Sequence, residues 1–143
     1  MYRIDRGAAG WSGASVTKLG KLGNKYVSDI AVVNTTAHTL WVSCSQAGAG
    51  HVFRSTDSGK TWTDRSAKLP DVAVNALVID PKNSKVLYAA TDRGVFRTKN
   101  AGTAWSDFGN GLPNVIVGDL ILHASGRLLR AGTRARGAWE VAI

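Results

Sequence analysis

One segment of this chain occurs twice, and the repetition constrains the fold more than any other feature of the sequence. HVFRSTDSGKTW (51–62) aligns with GVFRTKNAGTAW (94–105), so that Trp62 and Trp105 lie 43 residues apart. Upstream, VSDIAV (27–32) matches VNALVI with a similar offset. A fixed offset of this size is typical of proteins built from one repeated unit of secondary structure. The chain is therefore predicted to be a repeat protein.

Each repeat is predicted to contain four short β-strands. In the central unit, the segment VNALVID ends at Asp80-Pro81, where proline stops a strand ladder. VLYAAT is rich in β-branched and aromatic residues, and GVFRT follows a tight turn at Asp92-Arg93-Gly94. No long stretch of the chain has the apolar spacing of a helix. Four antiparallel strands in about 43 residues match one blade of a β-propeller, so the predicted fold class is all-β.

Strand counting assigns the whole chain to a single β-propeller repeat domain. The expected parts are a partial blade at 1–16, full blades at 27–66 and 74–109, and a partial blade at 117–143. The last blade lacks a fourth strand, and the N-terminal segment WSGASVT is expected to donate it. The chain is thus predicted to hold about three four-stranded antiparallel blades, which is half a propeller.

A half-propeller leaves two flanks uncovered, because propellers close with roughly four to eight blades. Uncovered sheet faces favour association. The sequence therefore predicts either self-association, as a head-to-tail homodimer that closes six blades, or a longer propeller that contains this chain.

The segment STDSGKTW resembles the Asp-box, or bacterial neuraminidase repeat, whose pattern is Ser-x-Asp-x-Gly-x-Thr-Trp. All of its defining positions are present, as Ser55, Asp57, Gly59, Thr61 and Trp62. TKNAGTAW is a weaker copy that retains Thr98, Asn100, Gly102 and Trp105. The resemblance implies the superfamily of sialidase, sortilin and xyloglucanase-like propellers. In that superfamily the box lies at the blade periphery and serves folding, so we interpret these residues as structural.

No catalytic set is recognisable. Glycoside hydrolysis uses two carboxyl groups, so acids that share a repeat position are the candidates. Asp29 and Asp119 occupy one repeat position just inside the first strand, which the resemblance implies is near the channel mouth. Asn75 is predicted to fill that place in the middle blade. These three residues are candidate ligand contacts, with capping of strand entry as the alternative. A sialidase-type Arg-Ile-Pro signature is missing. Whether the chain is an enzyme is left open, with non-enzyme favoured and a glycoside hydrolase as the alternative.

Metal and cofactor chemistry has little support in the sequence. His38, His51 and His123 share no ligand spacing, and a single cysteine, Cys44, excludes a multi-cysteine zinc site. No cofactor or metal is expected. The chain has no apolar run of transmembrane length, and MYRIDRGAAGW lacks the apolar core of a signal peptide. No membrane partner is expected, and the localisation is left open.

An excess of positive charge is the strongest functional signal, with a formal net charge of +8. Arg93, Arg134 and Arg136 fall in loops between second and third strands, which in a propeller share one face with the loops that join blades. Such a face suits an anionic glycan, a phosphate backbone or an acidic protein. No aromatic residues interleave these cations, so sequence-specific nucleic-acid binding is not expected. The predicted function is a non-catalytic binding or scaffold module, lectin-like, with a fragment of a glycoside hydrolase as the alternative.

Overall fold

The computed structural model describes residues 2–7, 10–33, 35–36, 38–48, 50–109, 111–112, 114–123, 125 and 127–143. Side chains are described at Arg3 and, within these ranges, from Ser15 onward. The described residues form β-strands joined by turns and loops, without a helix, so the all-β prediction is confirmed. No helix able to span a membrane occurs in this part of the chain.

In the described part of the chain, thirteen strands make up four antiparallel sheets, and within each sheet the strands follow chain order. An N-terminal hairpin is formed by β1 (Tyr2–Gly7) and β2 (Gly10–Lys18). Blade 1 consists of β3 (Val27–Val32), β4 (Leu40–Cys44), β5 (Val52–Ser55) and β6 (Thr63–Asp64). Blade 2 consists of β7 (Val74–Ile79), β8 (Leu87–Thr91), β9 (Gly94–Thr98) and β10 (Ser106–Asp107). Blade 3 has three strands, β11 (Val117–His123), β12 (Leu128–Thr133) and β13 (Ala138–Ala142).

The first strand of every blade carries a bulge at its second residue, where the pairing register shifts. The bulged residues are Ser28, Asn75 and Gly118. Asn75 is therefore equivalent to Ser28, and the residue that takes the place of Asp29 in blade 2 is Ala76. The prediction that Asn75 fills the position of Asp29 and Asp119 is wrong by one residue: Asn75 is the unpaired bulge residue, and the next residue, Ala76, pairs with β8 at the place where Asp29 pairs with β4.

Blade 2 contributes to two hydrophobic cores because successive side chains of a strand point to opposite faces of the sheet. Leu87 and Ala89 join the core against blade 1, while Tyr88 and Ala90 join the core against blade 3. Blade 1 supplies Val33, Trp41 and Val52 to the first core, and blade 3 supplies Val117, Leu120, Leu129 and Ala131 to the second. The alternation in β8 thus holds three blades in sequence.

The N-terminal hairpin belongs to the flank of blade 1. After β2 the backbone N–H of Gly20 donates to Gly59 O at 2.7 Å, and the Leu19 side chain lies against Gly59. Arg65, which follows β6, lies against Gly102 in the same way one blade later. The hairpin therefore takes the place of third and fourth strands in a blade before blade 1.

The expected donation of WSGASVT to blade 3 does not occur within this chain. β2 pairs with β1, and no described strand pairs with the outer side of β13. The physical reason is the anchoring of Gly20 to blade 1, because that contact holds the hairpin at the opposite flank from blade 3.

Candidate functional site

The loops after the second strand of each blade lie at one edge of the sheets, which we call the loop edge. In each blade a backbone N–H of this loop donates to a carbonyl of the segment that precedes the first strand. The bonds are Ser45 N to Tyr26 O at 3.0 Å, Asp92 N to Ala73 O at 3.2 Å, and Arg134 N to Ile116 O at 2.9 Å. The second-to-third-strand loops and the loops that join blades therefore share the loop edge.

Arg93 projects from a tight turn at the loop edge of blade 2. The Thr91 hydroxyl accepts from Arg93 N at 3.0 Å and donates to Gly94 O at 2.9 Å. Gly94 has a φ of 102°, a conformation that glycine adopts without steric cost. The turn is held by its own hydrogen bonds, and the Arg93 side chain is exposed.

Arg134 and Arg136 are exposed in the equivalent turn of blade 3. The Thr133 hydroxyl and the Thr133 N–H both donate to Gly137 O, at 2.6 and 3.0 Å. The indole N–H of Trp139 donates to Arg136 O at 3.0 Å. Among the described residues, no acidic side chain forms an ion pair with any of the three loop-edge arginines. Their guanidinium groups are thus available for the paired hydrogen bonds that carboxylate, sulfate and phosphate accept.

Asn75 joins blades 2 and 3 at the loop edge. Its Nδ2 donates to Val117 O and to Asp92 Oδ1, both at 2.9 Å, which uses both amide hydrogens. The bulged Ser28 does the same one blade earlier, since its hydroxyl donates to Val74 O at 2.5 Å. Asn75 therefore has a structural use that the sequence did not reveal.

The carboxylate of Asp29 accepts hydrogen bonds from backbone N–H groups of two blades. Its Oδ1 accepts from Ile30 N and its Oδ2 from Leu77 N, both at 2.8 Å. Asp119 repeats the first of these bonds, with Oδ1 accepting from Leu120 N at 2.8 Å. Blade 2 stands between the blades that carry the two carboxylates, so the fold does not bring them onto neighbouring strands.

The segment from Ser55 to Trp62, which we call the first box, is a turn organised by two polar side chains. Ser55 is buried, and its hydroxyl accepts from Gly59 N at 2.8 Å and donates to Asp57 Oδ1 at 2.7 Å. Asp57 also accepts from Thr61 N at 2.9 Å and from the Thr61 hydroxyl at 2.6 Å. Gly59 has a φ of 84°. The polar side chains that match the motif thus form hydrogen bonds with one another and with the backbone of the turn.

The second box, residues 98–105, repeats the network with different residue types. Thr98 Oγ1 accepts from Gly102 N at 3.0 Å and donates to Asn100 Oδ1 at 2.8 Å. Asn100 Oδ1 also accepts from Ala104 N at 2.9 Å. A Cβ at Gly102 would come within 2.9 Å of Arg65 O, so only glycine fits there without a shift.

The two boxes should differ in their sensitivity to acid. Hydrogen bonds from the Thr61 hydroxyl, the Thr61 N–H and the Ser55 hydroxyl hold the pKa of Asp57 below its ordinary value. Because the pKa of Asp57 is lower in the folded than in the unfolded chain, the ionised carboxylate stabilises the fold at any pH above the ordinary carboxyl pKa of about 4. This contribution is lost as the pH falls from there through the pKa of the folded state. We expect Asp57→Asn to fold at neutral pH and to lose less stability than the wild type between pH 7 and pH 3 in urea titrations.

Asn100→Asp provides the reciprocal variant, because it places a titratable group in the network that lacks one. Its stability should fall more steeply with acid than that of the wild type. Parallel pH curves for all three proteins would contradict an acid-sensitive role of Asp57.

Two pairs of side chains that are distant in the sequence lie in contact in the structure and were not predicted. His51 is 3% exposed, and its Nε2 lies 3.1 Å from Asp71 Oδ1, which also accepts from Gly48 N at 2.7 Å. Arg127 pairs with the buried Asp80 at 2.9 Å. The partners in these pairs are 20 and 47 residues apart and belong to no local motif.

The remaining candidates for site chemistry lie apart from one another. Within the described ranges, no three histidine, cysteine, aspartate or glutamate side chains cluster closely enough to hold a metal ion. Cys44 is a buried free thiol, and burial raises its pKa, which disfavours the reactive thiolate. His38 bonds the Ser58 hydroxyl at 2.7 Å, at the edge opposite the loop edge.

Comparison with solved structures identifies the fold. The GH74 enzyme of Niastella koreensis matches with a TM-score of 0.72 and 12% identity, covering 99% of this chain and 26% of that one. The GH74 xyloglucanase of Xanthomonas campestris matches with a TM-score of 0.63 and 15% identity, over 90% of this chain and 23% of that one. The chain has the fold of a β-propeller segment.

A third solved structure, from B. thetaiotaomicron, is described as the extracellular domain of a proposed one-component system. It matches with a TM-score of 0.64 and 17% identity, over 97% of this chain and 21% of that one. The present chain thus spans about a quarter or less of the length of these proteins. No protein-family model matches the sequence, and no curated protein matches it.

Proposed function

We propose that the chain is a non-catalytic β-propeller module that binds an anionic or carbohydrate ligand at its loop edge. The observation that carries the proposal is the exposure of Arg93, Arg134 and Arg136 in turns that are equivalent in two neighbouring blades and are fixed by their own hydrogen bonds. Rigid turns reduce the entropy lost on binding. The net charge of +8 adds a long-range attraction for anions.

The carboxylates support a non-catalytic role. Both oxygens of Asp29 accept backbone hydrogen bonds, and Asp119 lies two blades away. A glycoside hydrolase needs two carboxyl groups that face each other across one sugar. We interpret both acids as residues that cap the first strands, and we interpret both boxes as Asp-boxes that serve folding, because the two copies share one internal hydrogen-bond network.

A segment of a glycoside hydrolase is the second candidate function. It is favoured by the similarity in fold to two solved GH74 enzymes, one of them a xyloglucanase. The similarity to an extracellular domain of a one-component system weakens that argument, because one fold carries different functions. Hydrolysis of xyloglucan by the pure chain would favour the second candidate over the first.

The binding proposal is tested with sulfated, carboxylated and neutral polysaccharides in titration calorimetry. We expect the double variant Arg134→Glu/Arg136→Glu to bind the sulfated polysaccharide at least about tenfold more weakly, a change of about 1.4 kcal/mol. Affinity of the wild type should also fall as salt rises and the Debye length shortens to about 8 Å.

The matched control is Lys82→Glu/Lys85→Glu. It changes the net charge by the same amount, but both lysines are exposed in the turn between β7 and β8, at the edge opposite the loop edge. The control should bind almost as well as the wild type. Equal losses in the two double variants would show a response to net charge alone and would contradict a site at the loop edge.

A further inference from the structure

The first strand of blade 1 presents an uncovered row of aliphatic side chains. Val27, Ile30 and Val32 are 38%, 48% and 47% exposed. The equivalent residues Val74 and Leu77 of blade 2 are 0% and 3% exposed, and Val117 and Leu120 of blade 3 are 0% and 4% exposed. In blades 2 and 3 this row packs against the preceding blade. The row on β3 is therefore one half of a blade junction.

Blade 3 presents the other half of a junction on its outer face. Ile121 is 59% exposed and occupies the repeat position of Ala31 in blade 1 and Val78 in blade 2. Ala31 packs against the core shared with blade 2, and Val78 against the core shared with blade 3. Each internal junction thus joins the position of Ile121 on one blade to the row that includes Ile30 on the next.

We propose that these two half-junctions bind each other between two copies of the chain. β11 of one copy packs against β3 of the second copy, so that Ile121 joins Ile30 and Val32 in one core, as Val78 joins Leu120 and Leu122 in the core between blades 2 and 3. Two such contacts related by a two-fold axis close a ring, because each copy offers one half-junction of each kind. The interface continues a packing arrangement that occurs twice within the chain.

Closure requires an exchange of strands in the blade that the two copies share. The described residues of each copy form thirteen strands, and a ring of six four-stranded blades has room for twelve from each. β1 and β13 are both third strands, and they compete for the place beside β12 of the shared blade. We expect β1 of the second copy to displace β13, because none of the five residues of β13 is buried. The exchange leaves β12 with a partner strand on that side.

Charge opposes this association, which sets the sign of its salt dependence. Each copy carries +8, and the contact would bring Asp119 of one copy towards Asp29 of the second. Screening weakens both repulsions. The dimer should therefore tighten as salt rises, whereas binding of an anionic ligand at the loop edge should weaken, so failure of one proposal is distinguishable from failure of the other.

The test measures mass by light scattering on the full chain. We expect twice the single-chain mass of 15.1 kDa. Ile30→Arg and Ile121→Arg should each weaken dimerisation by about thirtyfold or more, as loss of a central interface residue does. Ala47→Arg is the matched control, because the substitution adds the same charge at an exposed position in the loop between β4 and β5. Circular dichroism establishes that each variant is folded.

A thiol cross-linking experiment tests the direction of the contact. A mixture of Ile30→Cys and Ile121→Cys chains should form mixed dimers with a short bis-maleimide, and neither variant alone should cross-link efficiently. A single-chain mass for the wild type at tens of micromolar would overturn the proposal. A blade of a longer polypeptide would then be the partner that covers the row on β3. Cross-linking of Ile30→Cys chains to each other would overturn it as well.

Discussion

Trp105→Ala is expected to lower the free energy of unfolding by about 3 to 5 kcal/mol, the range for removing a large aromatic side chain from a packed core. Trp105 is 4% exposed and lies in the core between blades 1 and 2. Its indole N–H donates to Arg65 O at 2.7 Å. The substitution therefore leaves a cavity at a blade junction and an unpaired carbonyl, and urea denaturation followed by circular dichroism measures the loss.

Two further variants separate the contributions of the hydrogen bond and of burial to this loss of stability. Trp105→Phe keeps most of the apolar contact and removes only the hydrogen bond, so it should cost about 1 to 2 kcal/mol. Trp139→Ala removes an indole that is 38% exposed on blade 3 and should cost about 1 kcal/mol. A loss for Trp139→Ala equal to that for Trp105→Ala would contradict the interpretation that burial at a blade junction decides the contribution of each tryptophan.

Arg127→Ala is expected to cost about 2 to 3 kcal/mol because it leaves a buried carboxylate without its cation. The Asp80 side chain is 4% exposed, the Arg127 side chain is 31% exposed, and their atoms approach to 2.9 Å. The pair links blade 2 to blade 3 at the edge opposite the loop edge. Thermal and urea unfolding of the variant measure the cost.

The chain contains its own control for this substitution. Arg130 pairs with Glu140 at 2.6 Å within blade 3, but the two side chains are 50% and 46% exposed. Exposed ion pairs contribute little, so Arg130→Ala should change stability by less than about 1 kcal/mol. Equal effects of the two substitutions would mean that burial does not decide the value of the Arg127 pair.

The repeat in the sequence was enough to predict the blades, because each unit contains its own turns and its own alternating strands. The box residues were also interpretable, since Ser55, Asp57 and Thr61 bond one another within a few residues. Turn chemistry placed Arg93 and Arg136 in loops for the same local reason. These features depend on interactions between near neighbours in the chain.

Features that depend on distant residues were not predictable. The hydrogen bonds from Asn75 to Val117 O and Asp92 Oδ1 join segments that an alignment of repeats does not connect. The pairing of Arg127 with Asp80 joins two blades without a sequence pattern. The place of the N-terminal hairpin depends on the contact between Gly20 and Gly59, which an aligned repeat does not contain.

The burial of β8 determines the order in which the chain can open. All five residues of β8 are buried, whereas the five residues of β13 are all exposed. Local openings are easiest where few apolar contacts must break. We therefore expect β13 to open well before β8. An amide in β8 should exchange its hydrogen only when the whole molecule unfolds.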